Sequence, residues 1–199
     1  MNKQPEITDK TKQNFVDVFT RLYLEKDIKK ITVREIAEES KSSRATFCRY
    51  FRDVYAIFEY IEEFIFIQIG NKLSDSISFH ATVDDFIDNV SEIYEKWQLY
   101  LRVLFKENGL DSFRKRLIIM GKEQIIQNLH LSDHDIRTDY ILDYYMTSVV
   151  TIIGRWMNHP EELTKEDMVS LIKGILSQSV LEQMLAGVCP DLSALQQGD

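Results

Sequence analysis

The segment SSRATFCRYF, residues 42–51, places hydroxyl, basic and aromatic side chains close together. Ser43 and Thr46 carry hydroxyls, and Arg44 and Arg49 are cationic. Hydroxyl and guanidinium groups are donors that bind phosphate oxygens in proteins that contact nucleic acid. The segment is therefore predicted to bind a polyanion, and a solvated basic surface helix is the alternative interpretation.

The residues before this segment predict a capped helix that would position it. Thr32 starts a capping box, in which its hydroxyl binds the amide of Glu35 and the Glu35 carboxylate reaches back. The apolar positions that follow indicate a short helix ending near Glu39, and the brief turn SKSS leads to a third helix over 43–49. Two short helices joined by a brief turn are typical of a helix-turn-helix, whose second helix enters the DNA major groove. Phe47 and Phe51 are four apart and are expected to pack inward.

Charge is distributed unevenly along the chain. The net charge is −8, but residues 1–52 hold 12 basic and 8 acidic residues, which gives +4. The remaining 12 basic and 24 acidic residues give residues 53–199 a charge of −12. A basic head on an acidic body indicates a polyanionic partner for the head.

Composition predicts an all-α fold of about nine helices. Glycine (7) and proline (3) are scarce, and no alternating strand pattern occurs. We predict a helix-turn-helix domain over 1–54 and a helical domain for ligand binding and dimerisation over 55–199. The polar N-terminus, the absence of a membrane-length apolar run and two distant cysteines indicate a cytoplasmic protein without membrane contact.

No sequence signature of an enzyme or of a cofactor site is present. The motifs GxSxG, HExxH and the P-loop are absent, so we expect no enzymatic activity and no cofactor. The segment HLSDHD at 130–135 holds two histidines and two aspartates. Loop capping by Ser132 and Asp133 is the preferred interpretation, with weak metal binding as the alternative, and no metal site is predicted.

Residues 31–61 resemble the N-terminal domain of TetR-type transcriptional regulators, and the resemblance covers about residues 10–65. That family's pattern is roughly T-[VI]-x-x-I-A-x-x-A-G-V-S-x-G-T-[LF]-Y-x-[HY]-F-x-[DS]-K. The matching residues are Thr32, Val33, Ile36, Ala37, Ser43, Thr46, Phe47, Tyr50, Phe51 and Asp53. Lys41 and Ser42 replace the usual Gly-Val of the turn, Ala45 replaces a common glycine, and Cys48 stands where tyrosine is usual.

The resemblance implies a DNA-binding surface on the head. Its expected members are Thr32, Lys41, Ser42, Ser43, Arg44, Ala45, Thr46, Cys48, Tyr50 and Arg52. Of these, Ser42, Ala45 and Cys48 are expected nearest the base edges, and most of the others nearest the phosphates. For Cys48, a small side chain tolerated at the groove is the preferred interpretation, and a redox-sensitive thiol is the alternative.

The body is rich in aromatic residues, which could line a pocket for a hydrophobic or aromatic small molecule. The candidate ligand-binding residues are Phe86, Tyr94, Trp97, Tyr100, Phe105, Tyr144 and Tyr145. Ordinary core packing is the alternative for each of them. Residues 148–176 also resemble a Firmicute-type subgroup of the family, in which a Trp-containing stretch precedes a Pro-Glu-Glu turn and a last helix.

The resemblance implies a homodimer, for which the last two helices are the candidate interface. The function predicted from the sequence is a repressor that binds palindromic operator DNA and is released by a small molecule. The alternative is a ligand-blind member that acts through a protein partner, for example as an activator.

Overall fold

The structure is a computed structural model that describes residues 5–75, 83–107, 109–128 and 136–176. Within these ranges the chain forms eight α-helices and no strand. The helices are α1 Pro5–Glu25, α2 Val33–Glu39, α3 Arg44–Cys48, α4 Val54–Asp75, α5 Val83–Phe105, α6 Ser112–Asn128, α7 Ile136–Asn158 and α8 Lys165–Leu176. A 3-10 turn, Ile28–Lys30, connects α1 to α2. The all-α prediction is confirmed, and the helix count is close to the predicted nine.

Contacts between Cα atoms divide the chain into two compact units. The N-terminal unit comprises residues 1–72 and 93–110, and the C-terminal unit comprises residues 73–92 and 111–199. Helices α4 and α5 therefore each run from one unit into the other. The functional boundary expected near residue 54 stays a prediction.

Aromatic side chains form the core of the N-terminal unit. Phe15 of α1 is fully buried, and its ring meets the ring of Phe47 of α3 edge-on with 5.3 Å between centroids. Tyr23, near the end of α1, is also buried and packs edge-on against Phe58 of α4 at 5.9 Å. Truncating a buried phenylalanine to alanine costs about 3–5 kcal/mol, so these rings fix α3 and α4 on α1.

Helix α5 is interrupted at Trp97, whose φ of −126° and ψ of 27° are not helical. The surrounding sequence contains no proline or glycine that would explain a break. The Trp97 ring instead packs edge-on against Phe64 of α4, with 4.7 Å between centroids. Trp97 also stacks on Tyr100 at 5.8 Å. The break in α5 therefore lies at the residue whose ring contacts both Phe64 and Tyr100.

The C-terminal unit packs α7 against α6 and α8. Leu142 and Tyr145 of α7 are buried, and isoleucines of the neighbouring helices pack around them. The Tyr145 hydroxyl donates a hydrogen bond to the carbonyl oxygen of Ile175 in α8 at 2.9 Å. Burial raises the pKa of Tyr145 to about 12, so the phenol stays neutral at physiological pH.

Polar contacts hold the turn between α7 and α8. Trp156 Nε1 donates to the carbonyl oxygen of Leu163 at 3.0 Å, and Arg155 binds Glu162 through two hydrogen bonds of 2.8 and 3.0 Å. The Thr164 hydroxyl then caps α8 by accepting the Asp167 amide at 3.1 Å. Across the described ranges, no helix has both the length and the apolar composition needed to cross a membrane.

Candidate nucleic-acid interface

Polar contacts fix α2 on α1. Arg21 of α1 and Lys26, which directly follows α1, form ion pairs with Glu39 and Glu35 of α2, respectively. The Asn14 side chain also donates to the carbonyl oxygen of Ser40 at 2.8 Å, just beyond the end of α2. These contacts lie along the length of α2, so the helix is tied to α1 near both of its ends.

The N-terminus of α2 carries the predicted threonine cap. Thr32 Oγ1 accepts a hydrogen bond from the Glu35 amide at 3.1 Å, which confirms the first half of the capping box. The second half is not formed, because the Glu35 carboxylate binds Lys26 instead. The exposed Thr32 hydroxyl keeps its own proton as a donor for an incoming acceptor.

The turn between α2 and α3 has the geometry that glycine usually provides. Lys41 adopts a φ of 52°, in the left-handed region. The amide of Lys41 donates to Glu38 O at 3.1 Å, and the amide of Ser42 donates to Ala37 O at 2.9 Å. These two bonds are a Schellman motif, which ends a helix when the residue after the cap is left-handed. The chain thus keeps the tight turn although lysine stands at the glycine position.

Helix α3 is short and depends on its cap. Ser43 Oγ accepts the amide of Thr46 at 3.0 Å and lies 2.9 Å from Thr46 Oγ1. The two hydroxyls therefore form one pair at the exposed start of α3. Either oxygen can act as the donor in that pair, which leaves one hydroxyl proton for an external acceptor.

The two sides of α3 differ as the sequence predicts. Phe47 is fully buried and Phe51 is 5% exposed, which confirms that both face inward. The outward side chains include two arginines and a free thiol. The side chains of Arg44, Ala45, Cys48 and Arg49 are all exposed to solvent. Tyr50 is half-buried, with its ring 6.1 Å from that of Phe15. This outer side presents donors and small side chains, and it carries no acidic residue.

Arg52 and Asp53 form the junction with α4. Asp53 Oδ1 accepts the amide of Ala56 at 2.9 Å, so it caps α4. Arg52 is exposed but paired, at 2.8 Å from Glu59 and 3.4 Å from Asp53. A phosphate contact by Arg52 would require it to exchange these partners, and exposed pairs of this kind are worth at most about 1 kcal/mol.

Lys106 is a positioning residue that no sequence motif indicated. It follows α5, and its Nζ donates to the carbonyl oxygens of Tyr23 and Lys26, the latter at 2.8 Å. These carbonyls lie at the end of α1, where a cation also interacts favourably with the helix dipole. Burial lowers the pKa of Lys106. The segment after Lys106 reinforces this contact, because the Leu110 amide donates to the Tyr23 hydroxyl at 3.2 Å.

The predicted ligand-binding residues lie in three different environments. Tyr94, Trp97 and Tyr100 of α5 are half-buried, and Tyr100 accepts a hydrogen bond from Gln13 of α1 at 2.5 Å. Phe105 is fully buried in the core. On α7, Tyr145 is buried, whereas its neighbour Tyr144 is 67% exposed. The side chain of Phe86 and the segment HLSDHD lie outside the described residues.

Comparison with known proteins gives one family model and one curated relative. Residues 81–178 match the TetR C-terminal family model described as "Transcriptional regulator C-terminal region". The HTH-type transcriptional regulator YxbF of Bacillus subtilis (strain 168) is 22% identical over 162 residues. That match covers 79% of this chain and 42% of YxbF, so the chain spans about two-fifths of the length of that relative.

Solved structures share the fold at low sequence identity. A tetR-family transcriptional regulator from Streptomyces coelicolor has a TM-score of 0.64 and 13% sequence identity. The match covers 94% of this chain and 89% of that protein's chain. The fatty acid degradation regulator FadR from Bacillus halodurans has a TM-score of 0.61 and 11% identity, and the match covers 95% of this chain and 99% of the FadR chain. The dihydroxyacetone kinase operon activator DhaS has a TM-score of 0.55 and 17% identity, and the match covers 89% of this chain and 96% of the DhaS chain.

Proposed function

We propose that the chain is a TetR-type transcriptional regulator, and that it is a dimeric repressor without enzymatic activity that acts in the cytoplasm. In this proposal it binds a palindromic operator through α3 and is released by a small molecule. The observation that carries the proposal is the outer side of α3. Arg44 and Arg49 are exposed there and form no ion pair among the described residues, so they are available to phosphates.

The construction around α3 supports DNA contact. A helix that enters the major groove must present its outer side in a fixed orientation, because base contacts depend on direction. Ser43 caps the start of α3, and the left-handed Lys41 fixes the turn before it. The buried Phe47 anchors the inner side of the helix in the core. Ser42, Ala45 and Cys48 are proposed to lie at base edges, and the flanking donors at phosphates.

Exposed apolar residues on α7 support dimerisation through the last two helices. Ile136, Tyr140 and Tyr144 are spaced four apart on one side of the helix and are 67%, 73% and 67% exposed. On α8, Leu171 is 43% exposed. Contiguous exposed apolar surface on a soluble domain marks an interaction site. A two-fold dimer fits a palindromic operator, since protein symmetry matches half-site symmetry.

The half-buried aromatic residues of α5 support the proposal of an effector. Trp97 and Tyr100 stack beside Phe64, and Trp97 lies at the break in α5. Flat or hydrophobic molecules bind well against such rings. A ligand that changes the packing of Trp97 would act on α5, which ends directly before Lys106, the residue that binds the end of α1.

In vitro selection from random duplexes, followed by fluorescence anisotropy with the selected duplex, tests the proposed function. We expect a palindromic sequence and saturable binding by wild-type protein. An Arg44→Ala/Arg49→Ala variant with an unchanged unfolding temperature should bind much more weakly. Failure to enrich any sequence, or equal binding by that variant, would contradict the proposal. A reporter gene placed behind the selected operator then separates repression from the alternative of activation through a protein partner.

A further inference from the structure

Basic residues between the 3-10 turn and the end of α3 fall into two groups. Arg34 and Arg52 are neutralised by Glu38 and Glu59, at 2.7 and 2.8 Å respectively. The other basic residues of 28–52 form no ion pair within the described part of the chain, and all of them are exposed. They are Lys29, Lys30, Lys41, Arg44 and Arg49. An exposed cation without a carboxylate partner keeps its full charge for a phosphate. Lys41, Arg44 and Arg49 lie on α3 or directly beside it, whereas Lys29 and Lys30 do not.

Lys29 and Lys30 stand on a rigid support. The Asp27 carboxylate accepts the Lys29 amide at 2.8 Å, and the Asp27 carbonyl oxygen accepts the Lys30 amide at 2.9 Å. Ile28 and Ile31, on either side of the lysines, are 5% and 4% exposed and anchor the turn in the core. A fixed backbone lowers the entropy that is lost when a side chain binds a partner. The two ammonium groups are thus presented together from a preorganised turn.

The spacing of this pair from the turn before α3 suits the DNA backbone. Helix α2 has seven residues, so it is about 10 Å long. It separates the Lys29–Lys30 turn at its start from Lys41 just beyond its end. The DNA major groove is about 12 Å wide, and the first helix of a helix-turn-helix crosses the phosphate backbone beside it. With α3 in the groove, the start of α2 approaches phosphates that α3 itself does not reach.

From this arrangement we infer that Lys29 and Lys30 form a second phosphate-binding site on the head, separate from α3 and its turn. The inference rests on the proposed DNA binding. Phosphate contacts fix the register and orientation of a protein on the duplex without reading sequence. The pair therefore contributes affinity and orientation, and sequence preference stays with α3.

The test compares three double variants by anisotropy over a series of salt concentrations, with the selected duplex and with a scrambled one. Lys29→Gln/Lys30→Gln removes the pair, and Lys29→Arg/Lys30→Arg keeps its charge. Arg102→Gln/Lys115→Gln is the matched control, because it removes two exposed charges from α5 and α6. Thermal unfolding checks that all three variants fold.

We expect Lys29→Gln/Lys30→Gln to lower the slope of log K against log salt by about 1.8 per protomer, and so by about 3.6 for the proposed dimer, since each lost phosphate contact removes about 0.9. At roughly 0.1 M salt this change weakens binding up to about 60-fold per protomer. The preference for the selected over the scrambled duplex should not change. The arginine variant and the matched control should both retain the wild-type slope.

Two results overturn the inference while the proposed function stands. One is a wild-type slope for Lys29→Gln/Lys30→Gln when Arg44→Ala lowers it. The other is an equal fall in slope for the matched control, which would assign the effect to net charge alone. Absence of specific binding by the wild-type protein overturns the proposed function itself.

Discussion

Lys41 allows the strain of the turn and the charge of the interface to be measured separately. Its left-handed backbone, with φ at 52°, costs a residue with a Cβ about 1–2 kcal/mol. Glycine removes this cost but loses about 0.5–1 kcal/mol through the greater freedom of the unfolded chain. Lys41→Gly should therefore stabilise the protein by roughly 0.5–1 kcal/mol. Lys41→Ala keeps the Cβ, so its stability should stay close to that of the wild type.

The two variants lose the same charge, so they should behave alike toward DNA. If Lys41 contacts one phosphate, both lower the slope of log K against log salt by about 0.9 per protomer. Urea unfolding gives the stability difference, and thermal unfolding should show Lys41→Gly about 2–4 °C above Lys41→Ala per kcal/mol. Anisotropy with the selected duplex gives the slope.

Either half of this reasoning can fail independently. If Lys41→Gly is no more stable than Lys41→Ala, the turn does not store the strain that the Schellman geometry implies. If both variants keep the wild-type slope, Lys41 does not meet a phosphate. The combination expected here, greater stability with weaker DNA binding, would show that the lysine is retained for function at a cost to the fold.

Three further substitutions test single contacts. Ser43→Ala removes the cap of α3 and should cost about 1 kcal/mol and weaken DNA binding, whereas Ser43→Asn should restore much of both; equal behaviour of the two variants would contradict the capping role. Lys106→Met leaves two carbonyl oxygens at the end of α1 without their donor and should cost about 1.5–3 kcal/mol in urea unfolding, so an unchanged midpoint would refute the contact. Tyr145→Phe loses the hydrogen bond to Ile175 and should lower the free energy of unfolding by about 1 kcal/mol. An unchanged free energy of unfolding would contradict a stabilising role for that hydrogen bond.

Local signals in the sequence predicted the capped start of α2 and the inner side of α3, and the caps of α3 and α4 have the same local cause. Thr32, Ser43 and Asp53 each cap a helix because a short polar side chain can accept an amide one turn ahead, which depends on neighbours only. The burial of Phe47 and Phe51 follows from their spacing.

Features that depend on distant residues were not predictable in the same way. The break at Trp97 occurs beside a ring from α4 rather than at a proline or glycine. Which cations are free depends on carboxylates brought close by folding, as when Glu39 binds Arg21. The aromatic residues of α7 illustrate the same point, because Tyr144 and Tyr145 are adjacent in sequence but differ in burial, one exposed and one buried.

The central claim is that α3 and its turn bind DNA, and the salt dependence of binding by wild-type protein and Arg44→Ala tests it most directly. The account predicts saturable binding to the selected duplex, a steep salt slope, and a slope lower by about 0.9 per protomer in Arg44→Ala at unchanged stability. A wild-type slope near zero, or an identical slope in the variant, would contradict it.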